Sequence, residues 1–233
     1  MEHKRLTLFA GHYGSGKTNI AVNYAIALAK EGKKVCIGDL DIVNPYFRTA
    51  DSAKQLKEAG VELICPQYAN TNVDLPALPA EGYRLVQDKS IYGIMDIGGD
   101  DRGAYALGRY TPYILEEGNY RMAFVANCYR PLTRTPEEAL EVMREIETAC
   151  HLKFTCIINN SNLASETTAQ TVLDSIPYME QLSKLSGLPL WLTTARADVA
   201  AELTQLPNVL PLQLQEKYFD LPSQKPQPRP LWG

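Results

Sequence analysis

The amino-acid sequence predicts an α/β fold in which a mostly parallel central sheet carries helices on both faces. Short apolar runs alternate along the 233 residues with longer segments of helical periodicity, and parallel strands joined by crossover helices produce this alternation. Apolar residues make up 45% of the chain and charged residues 21%, ordinary values for a globular domain that exclude a disordered or fibrous class. We predict one domain over residues 1–215 and a proline-rich tail over residues 216–233.

Seven short apolar segments are predicted strands. In chain order they are RLTLFA, KVCIGD, VELIC, YGIMDIG, RMAFVANC, FTCIINN and LPLWLTT. Helices are predicted over residues 17–31, 47–59, 136–150 and 166–184, with a helix or looped helix over 101–117. The best-defined start is Pro136, because proline fits the first helical turn and the acidic residues after it lie near the positive end of the helix dipole.

Two segments lack this periodicity. Residues 66–82 carry three prolines and exceed an ordinary connection in length, which predicts a functional loop or a small insertion. Residues 221–233 hold four prolines and too few apolar residues to pack by themselves. This tail either docks onto a partner through Trp232 or lies on its own domain, and composition favours the second alternative.

Composition also bears on partners and compartment. The net charge of −4 argues against general electrostatic binding of nucleic acid. The chain has no run of about 18 apolar residues that would span a membrane. Five cysteines without C-x-C or C-x-x-C spacing indicate a reducing compartment and argue against a zinc or iron–sulfur site within one chain. A cluster shared between two chains stays open. We expect a cytoplasmic protein with no nucleic-acid or membrane partner.

Residues 11–18 read GHYGSGKT and fit the phosphate-loop pattern G-x-x-x-x-G-K-[ST]. The pattern lies between a predicted strand and a predicted helix, where glycines let successive backbone N–H groups turn toward a phosphate. Lys17 is expected to reach the β- and γ-phosphates, and Thr18 to supply a hydroxyl to Mg²⁺. The alternative is a glycine-rich turn without a ligand, which leaves the agreement of motif, strand and helix unexplained. The predicted nucleotide contacts are Gly11, His12, Tyr13, Gly14, Ser15, Gly16, Lys17, Thr18 and Asn19.

Three carboxylates follow this loop at predicted strand ends. Asp39 and Asp41 end the second strand and, being two apart, lie on the same side of an extended backbone. Asp96 ends the fourth strand ahead of Gly98 and Gly99, like a Walker B segment that continues into a mobile switch close to the γ-phosphate. A single aspartate at a strand end is commonly a cap or turn former, but three after a phosphate loop predict metal binding or water positioning.

Together these segments resemble the deviant-Walker family of P-loop ATPases, of the SIMIBI class, which includes MinD, ParA, the nitrogenase iron protein and the nucleotide-binding domains of cobyrinic acid synthases. The resemblance rests on GHYGSGKT, GDLDIVNP, MDIGGDDRG and IINNSN and covers most of residues 5–200. It implies an ATPase that binds ATP or ADP with Mg²⁺. It further implies that Asp41 orients the attacking water and that Thr18, Asp39, Asp41 and Asp96 hold the metal.

The resemblance also implies a site for the base after the sixth and seventh strands. There Asn159 or Asn160 would face the adenine, as would the backbone around Thr194–Arg196. The alternative for the two asparagines is a loop that Asx turns stabilise.

The chain departs from the family at His12, where members with the signature lysine carry that lysine. His12 either donates to phosphate when protonated or packs as a neutral ring beside the loop. Arg48, Arg102 and Arg109 lie in switch-like segments and are candidates for the missing positive charge. The departure predicts slow basal hydrolysis and little nucleotide-dependent dimerisation, although a homodimer stays open.

Three functions compete on these observations. The leading hypothesis is a Mg²⁺-dependent ATP-hydrolysing switch that acts on an unidentified protein partner. The second is an ATP-dependent ligase that resembles dethiobiotin synthetase or the cobyrinic acid amidating enzymes, with residues 66–82 forming a substrate pocket. A metal-centre maturation ATPase is the third, and the absence of paired cysteines counts against it.

Overall fold

The computed structural model of the protein describes residues 3–40, 52–64, 80–99 and 101–214. Several predicted features therefore lie outside the described residues, wholly or in large part: Asp41, Arg48, the loop over residues 66–82 and the tail over residues 216–233.

Eight strands form the central sheet of the described chain. They are β1 (Leu6–Ala10), β2 (Val35–Leu40), β3 (Glu62–Ile64), β4 (Tyr92–Ile97), β5 (Tyr120–Ala126), β6 (Cys156–Asn159), β7 (Leu190–Arg196) and β8 (Val209–Leu212). The strands lie in the order β3-β2-β4-β1-β5-β6-β7-β8, and each neighbouring pair is parallel. The predicted fold class is confirmed.

The first seven strands are predicted from the sequence, whereas β8 is not. This strand is four residues long and contains Pro211, whose lack of an N–H counts against a strand in the sheet interior. Because β8 is the last strand of the sheet, Pro211 pairs with Ala195 on one side only. An edge position therefore tolerates the proline.

Nine helices are assigned in the described residues. They are α1 (Lys17–Lys30), α2 (Ala53–Glu58), α3 (Arg84–Gln87), α4 (Asp101–Gly108), α5 (Thr111–Glu117), α6 (Pro136–Cys150), α7 (Ala169–Asp174), α8 (Ile176–Ser186) and α9 (Ala197–Ala200). The predicted α6 is confirmed at both ends, and a Thr135–Glu138 capping box fixes its start. The segment over residues 101–117 forms α4 and α5 with a short connection between them, which agrees with the looped helix, one of the two predicted forms.

The prediction of a single helix over residues 166–184 is wrong. The segment forms α7 and α8, which meet at Ser175. The Ser175 hydroxyl donates to the Val172 carbonyl at 2.6 Å, and Pro177 occupies the first turn of α8, where its missing N–H costs nothing. No helix of the described residues is long and apolar enough to cross a bilayer.

Two apolar layers cover the two faces of the sheet. Phe9 of β1 packs with Ile20 of α1 and Ile94 of β4 on one face, whereas Leu8 packs with Met143 of α6 on the other. Side chains of a strand alternate between faces, so adjacent residues of β1 belong to different layers. Full burial of one such large apolar side chain contributes about 1.5–3 kcal/mol.

The strand order creates a crevice at the carboxyl end of β1. From β1 the chain continues to β2, which lies on the same side of β1 as β4. After β4 the chain crosses to β5, which lies on the opposite side of β1. Open α/β sheets bind ligands at such a topological switch point. The segment over residues 11–16 lies here, between the end of β1 and the start of α1.

Candidate functional site

The loop over residues 11–16 needs glycine at three positions. Gly11, Gly14 and Gly16 have φ of +151°, +74° and +91°, a region that L side chains rarely adopt. A Cβ at Gly11 would lie 2.6 Å from the Val125 carbonyl oxygen, and one at Gly16 would lie 2.2 Å from Asn160 Nδ2. Both conformation and space therefore explain the motif's first and last glycines.

The first turn of α1 faces this loop without a side-chain cap. Gly16 is the N-cap residue, and its position supplies no side-chain hydrogen bond to the helix. Lys17 Nζ donates to the His12 carbonyl oxygen at 3.1 Å, so the lysine spans the loop. Lys17 and Thr18 are both buried. The N–H groups of the first helical turn and the positive end of a 14-residue helix favour an anion at this position.

Two of the predicted metal ligands lie side by side. Asp39 of β2 and Asp96 of β4 are paired in register, and both are buried. Asp39 follows Ile37 by two residues, and Asp96 follows Ile94 by two. Both isoleucines pack in the layer that contains α1, so both carboxylates belong to the sheet face that α1 covers. Two buried like charges in register favour a bound cation. Within the described residues no group of three potential metal-binding side chains occurs, and Asp41 lies outside them.

The end of β4 lies against the phosphate loop. A Cβ at Gly99 would lie 2.7 Å from the Tyr13 nitrogen and 2.9 Å from Lys17 Nζ. A Cβ at Gly103, in the first turn of α4, would lie 2.6 Å from the Gly98 Cα. The two predicted glycines therefore connect the loop to α4 through close backbone contacts that any side chain would disrupt.

The two asparagines at the end of β6 form hydrogen bonds within the protein. Asn160 Nδ2 donates to the Ser15 carbonyl oxygen at 2.6 Å, and Asn160 Oδ1 accepts from the Thr194 hydroxyl at 2.7 Å. Asn159 Nδ2 donates to Ser175 Oγ at 2.9 Å. Asn160 thus ties β6 and β7 to the phosphate loop, while the contact of either residue with a base stays a prediction.

The remaining predicted contacts lie around the loop or beside it. Tyr13 is 53% exposed, and His12 Nδ1 lies 3.0 Å from the Tyr13 carbonyl oxygen. Asn19 follows in the first turn of α1, where its carbonyl accepts from Asn23. Arg196, at the end of β7, forms a two-point ion pair with Asp198 at 2.6 and 2.8 Å. The structure brings together the loop, Asp39, Asp96, Gly98 and Gly99, and leaves Arg196 in an ion pair of its own.

One basic side chain beside the loop, that of Arg130, is not predicted from the sequence. Arg130 Nε lies 3.9 Å from the position that a Cβ on Gly14 would take. Arg130 follows β5, which no motif connects with residues 11–18 in the sequence. The strand order, which places β5 beside β1, is the signal that would have found it.

Comparison with known proteins agrees with this geometry. The family model described as the CobQ/CobB/MinD/ParA nucleotide binding domain matches residues 6–188. No curated protein matches the chain.

Solved structures of FtsY proteins share the fold. FtsY from Mycoplasma mycoides is 18% identical with a TM-score of 0.52, over 81% of this chain and 58% of that one. FtsY from Thermotoga maritima is 16% identical with a TM-score of 0.53, over 83% and 62%. FtsY from Elizabethkingia anophelis in complex with GDP is 14% identical with a TM-score of 0.50, over 83% and 58%.

This chain spans about three fifths of the length of those structures. At such low identity the likeness concerns the fold. The family match covers most of the chain and includes the phosphate loop, β2 and β4 with their aspartates, and the asparagines at the end of β6. The chain therefore belongs to the family of CobQ/CobB/MinD/ParA nucleotide binding domains.

Proposed function

We propose that this domain is a Mg²⁺-dependent ATP-binding and ATP-hydrolysing switch that acts on a protein partner. The observation that carries the proposal is the glycine loop at the start of α1, with Lys17 across the loop and Asp39 and Asp96 paired on the same face of the sheet. Such a site combines donors for phosphate oxygens with carboxylates for a divalent cation. Thr18, Asp39 and Asp96 would hold magnesium, which neutralises phosphate charge when it is bound.

The chemistry of the segments after β6 and β7 supports adenine over guanine. Guanine presents two neighbouring N–H donors, which a carboxylate accepts, whereas adenine presents one donor and one acceptor, which an amide side chain or backbone matches. Residues 156–165 contain no aspartate or glutamate. Near the end of β7, the Asp198 carboxylate is held by Arg196. The GDP in one FtsY structure makes the choice of base a necessary part of the test.

Hydrolysis is assigned to Asp41 on the strength of the family resemblance. Asp41 follows the buried Asp39 by two residues. In the proposal Asp41 holds and orients the attacking water, while Lys17 stabilises the charge that develops on the phosphate oxygens.

The contacts of β4 support a switch. Gly99 lies against Tyr13 and Lys17, and Gly98 lies against Gly103 of α4. In the proposal, a change in phosphate occupancy shifts the loop and, through these contacts, the start of α4. Tyr105 of the same helix is 66% exposed, which gives a partner an aromatic contact on the element that moves.

Phosphate release from ATP and from GTP, with Mg²⁺ and no other small molecule, tests the proposal. We expect ATP to be the better substrate. Asp41→Asn should slow turnover about 100-fold while ATP stays bound, and Asp39→Asn should weaken the Mg²⁺ dependence. Asp174→Asn is the matched control, because this exposed aspartate of α7 bonds only Gln170 among the described contacts.

Three results would contradict the proposal. Equal and small effects of Asp41→Asn and Asp39→Asn would make both residues turn formers. A preference for GTP would refute the assignment of the base. Phosphate release that requires an added carboxylate substrate would instead indicate a ligase.

A further inference from the structure

Arg130 is held in a fixed loop directly after β5. Its backbone N–H donates to the Asn127 carbonyl oxygen at 3.1 Å, and its carbonyl accepts from the Thr133 N–H at 3.1 Å. The Asn127 side chain is fully buried, and its Oδ1 accepts from the N–H groups of Tyr129 and Asn162 at 3.0 and 3.3 Å. These bonds fix the backbone from which the arginine side chain extends.

The side chain of Arg130 reaches the phosphate loop. Its Nε lies 3.9 Å from the position of a Cβ on Gly14, the middle glycine of the loop. The Nε atom is buried and has no hydrogen-bond partner. Among the residues that the structure describes, no ion pair involves this guanidinium.

A buried guanidinium N–H without an acceptor is an unfavourable arrangement. The desolvation of this N–H is not repaid by a hydrogen bond, and the cost is larger for a charged group than for a neutral one. A second cation, Lys17, spans the same loop. Two cations beside backbone N–H groups and a helix N-terminus together favour an anion that accepts from all of them.

We propose that Arg130 binds the phosphate chain of the bound nucleotide from within the same chain. The inference rests on the proposed function, since it concerns the same nucleotide. The planar guanidinium offers several N–H donors in a fixed fork that matches phosphate oxygens. His12 stands where related proteins carry a signature lysine, and its Nδ1 lies against the loop's own Tyr13 carbonyl. Arg130 supplies a permanent positive charge beside the same loop.

Nucleotide binding by Arg130→Ala, Arg130→Gln and Arg130→Lys, measured by calorimetry with Mg²⁺, tests the inference. The probes are ADP, GDP and the nonhydrolysable analogues of ATP and GTP, with AMP and GMP as probes that lack the β-phosphate. Arg134→Ala is the matched control, because Arg134 is exposed four residues further along the same loop. Melting temperatures without nucleotide report whether each variant is folded.

The expected result is a loss of affinity that follows the phosphate chain. Arg130→Ala and Arg130→Gln should raise the Kd of the di- and triphosphates about tenfold or more and leave the monophosphates unchanged. Arg130→Lys should recover part of the loss, since it restores the charge without the fork. Affinity for the triphosphate should also depend less on salt in Arg130→Gln than in the wild-type protein.

Wild-type affinity in a folded Arg130→Gln variant, or an equal loss in Arg134→Ala, would overturn the inference. If Arg130→Ala does not fold, Arg130→Gln and Arg130→Lys decide by the same criteria. The failure of the proposed function is a different result. In that case the wild-type protein itself would bind none of the nucleotides, and both proposals would fall together.

Discussion

Replacing Gly16 by alanine tests whether the loop and the asparagine after β6 form one unit. Alanine at φ of +91° costs about 1–2 kcal/mol in the left-handed region. Its Cβ would lie 2.2 Å from Asn160 Nδ2, so Asn160 must move and give up its 2.6 Å hydrogen bond to the Ser15 carbonyl. Losing that buried bond adds about 1–3 kcal/mol. We expect Gly16→Ala to lower the free energy of unfolding by about 2–5 kcal/mol.

A double-mutant cycle separates the two costs. Asn160→Ala by itself removes the bonds to Ser15 and Thr194, and in that background the new methyl group of Gly16→Ala no longer collides with an amide. The double variant should therefore be less destabilised than the sum of the single variants by about 1–3 kcal/mol. Gly187→Ala is the control for the conformational cost alone, because Gly187 has φ of +72° and no atom within 4 Å of a new Cβ.

Urea unfolding of the four variants, without nucleotide, provides the measurement. Gly187→Ala should cost about 1–2 kcal/mol, distinctly less than Gly16→Ala. Additive single effects in the cycle would refute the reasoning, because they would mean that Asn160 does not support the loop. Equal losses in Gly16→Ala and Gly187→Ala would refute the steric part of it.

Two further predictions follow from buried ionisable groups. Burial raises the pKa of Glu117, but hydrogen bonds from Arg5 and Lys89 outweigh this effect and hold the pKa below its ordinary value. The interaction of Glu117 with these two cations therefore stabilises the fold above about pH 4.3, and this stabilisation is lost as the pH falls through the lowered pKa. Glu117→Gln should cost about 3–5 kcal/mol at pH 7 in urea unfolding, since the buried Arg5 loses its counter-ion, and an unchanged acid limb of the stability curve would contradict this. Burial raises the pKa of Cys36 and Cys156 to about 12, so both thiols should resist alkylation at pH 8 until urea unfolds the chain; rapid labelling of either one in the native protein, read by mass spectrometry, would show that it is exposed.

Local sequence patterns were sufficient to predict the frame of the fold and the phosphate loop. Alternating apolar and helical segments identified seven strands, and the spacing of Gly11, Gly16 and Lys17 identified the loop. These features depend on residues close together in the chain. The positions of Asp39 and Asp96 at predicted strand ends indicated a metal site, and the structure pairs the two residues in register.

Features that depend on tertiary neighbours escaped prediction. β8 was not predicted because it contains Pro211, and only a strand at the edge of a sheet tolerates a proline. Asn160 was considered as a base contact, but its bond to the Ser15 carbonyl depends on which strand lies where. Arg130 lies 116 positions after Gly14 in the sequence. Only the adjacency of β1 and β5 brings the two residues together.

Calorimetric titration of Mg·ATP into the wild-type protein, Lys17→Ala and Lys30→Ala is the most direct test of a nucleotide site at the start of α1. Lys30 is exposed in the last turn of the same helix, so Lys30→Ala changes the charge of the protein equally without altering the loop. The account predicts that the wild-type protein and Lys30→Ala bind with the same affinity, while Lys17→Ala loses binding by about 100-fold or more, in keeping with the loss of a buried charged contact. Equal affinity of Lys17→Ala and the wild-type protein would contradict it.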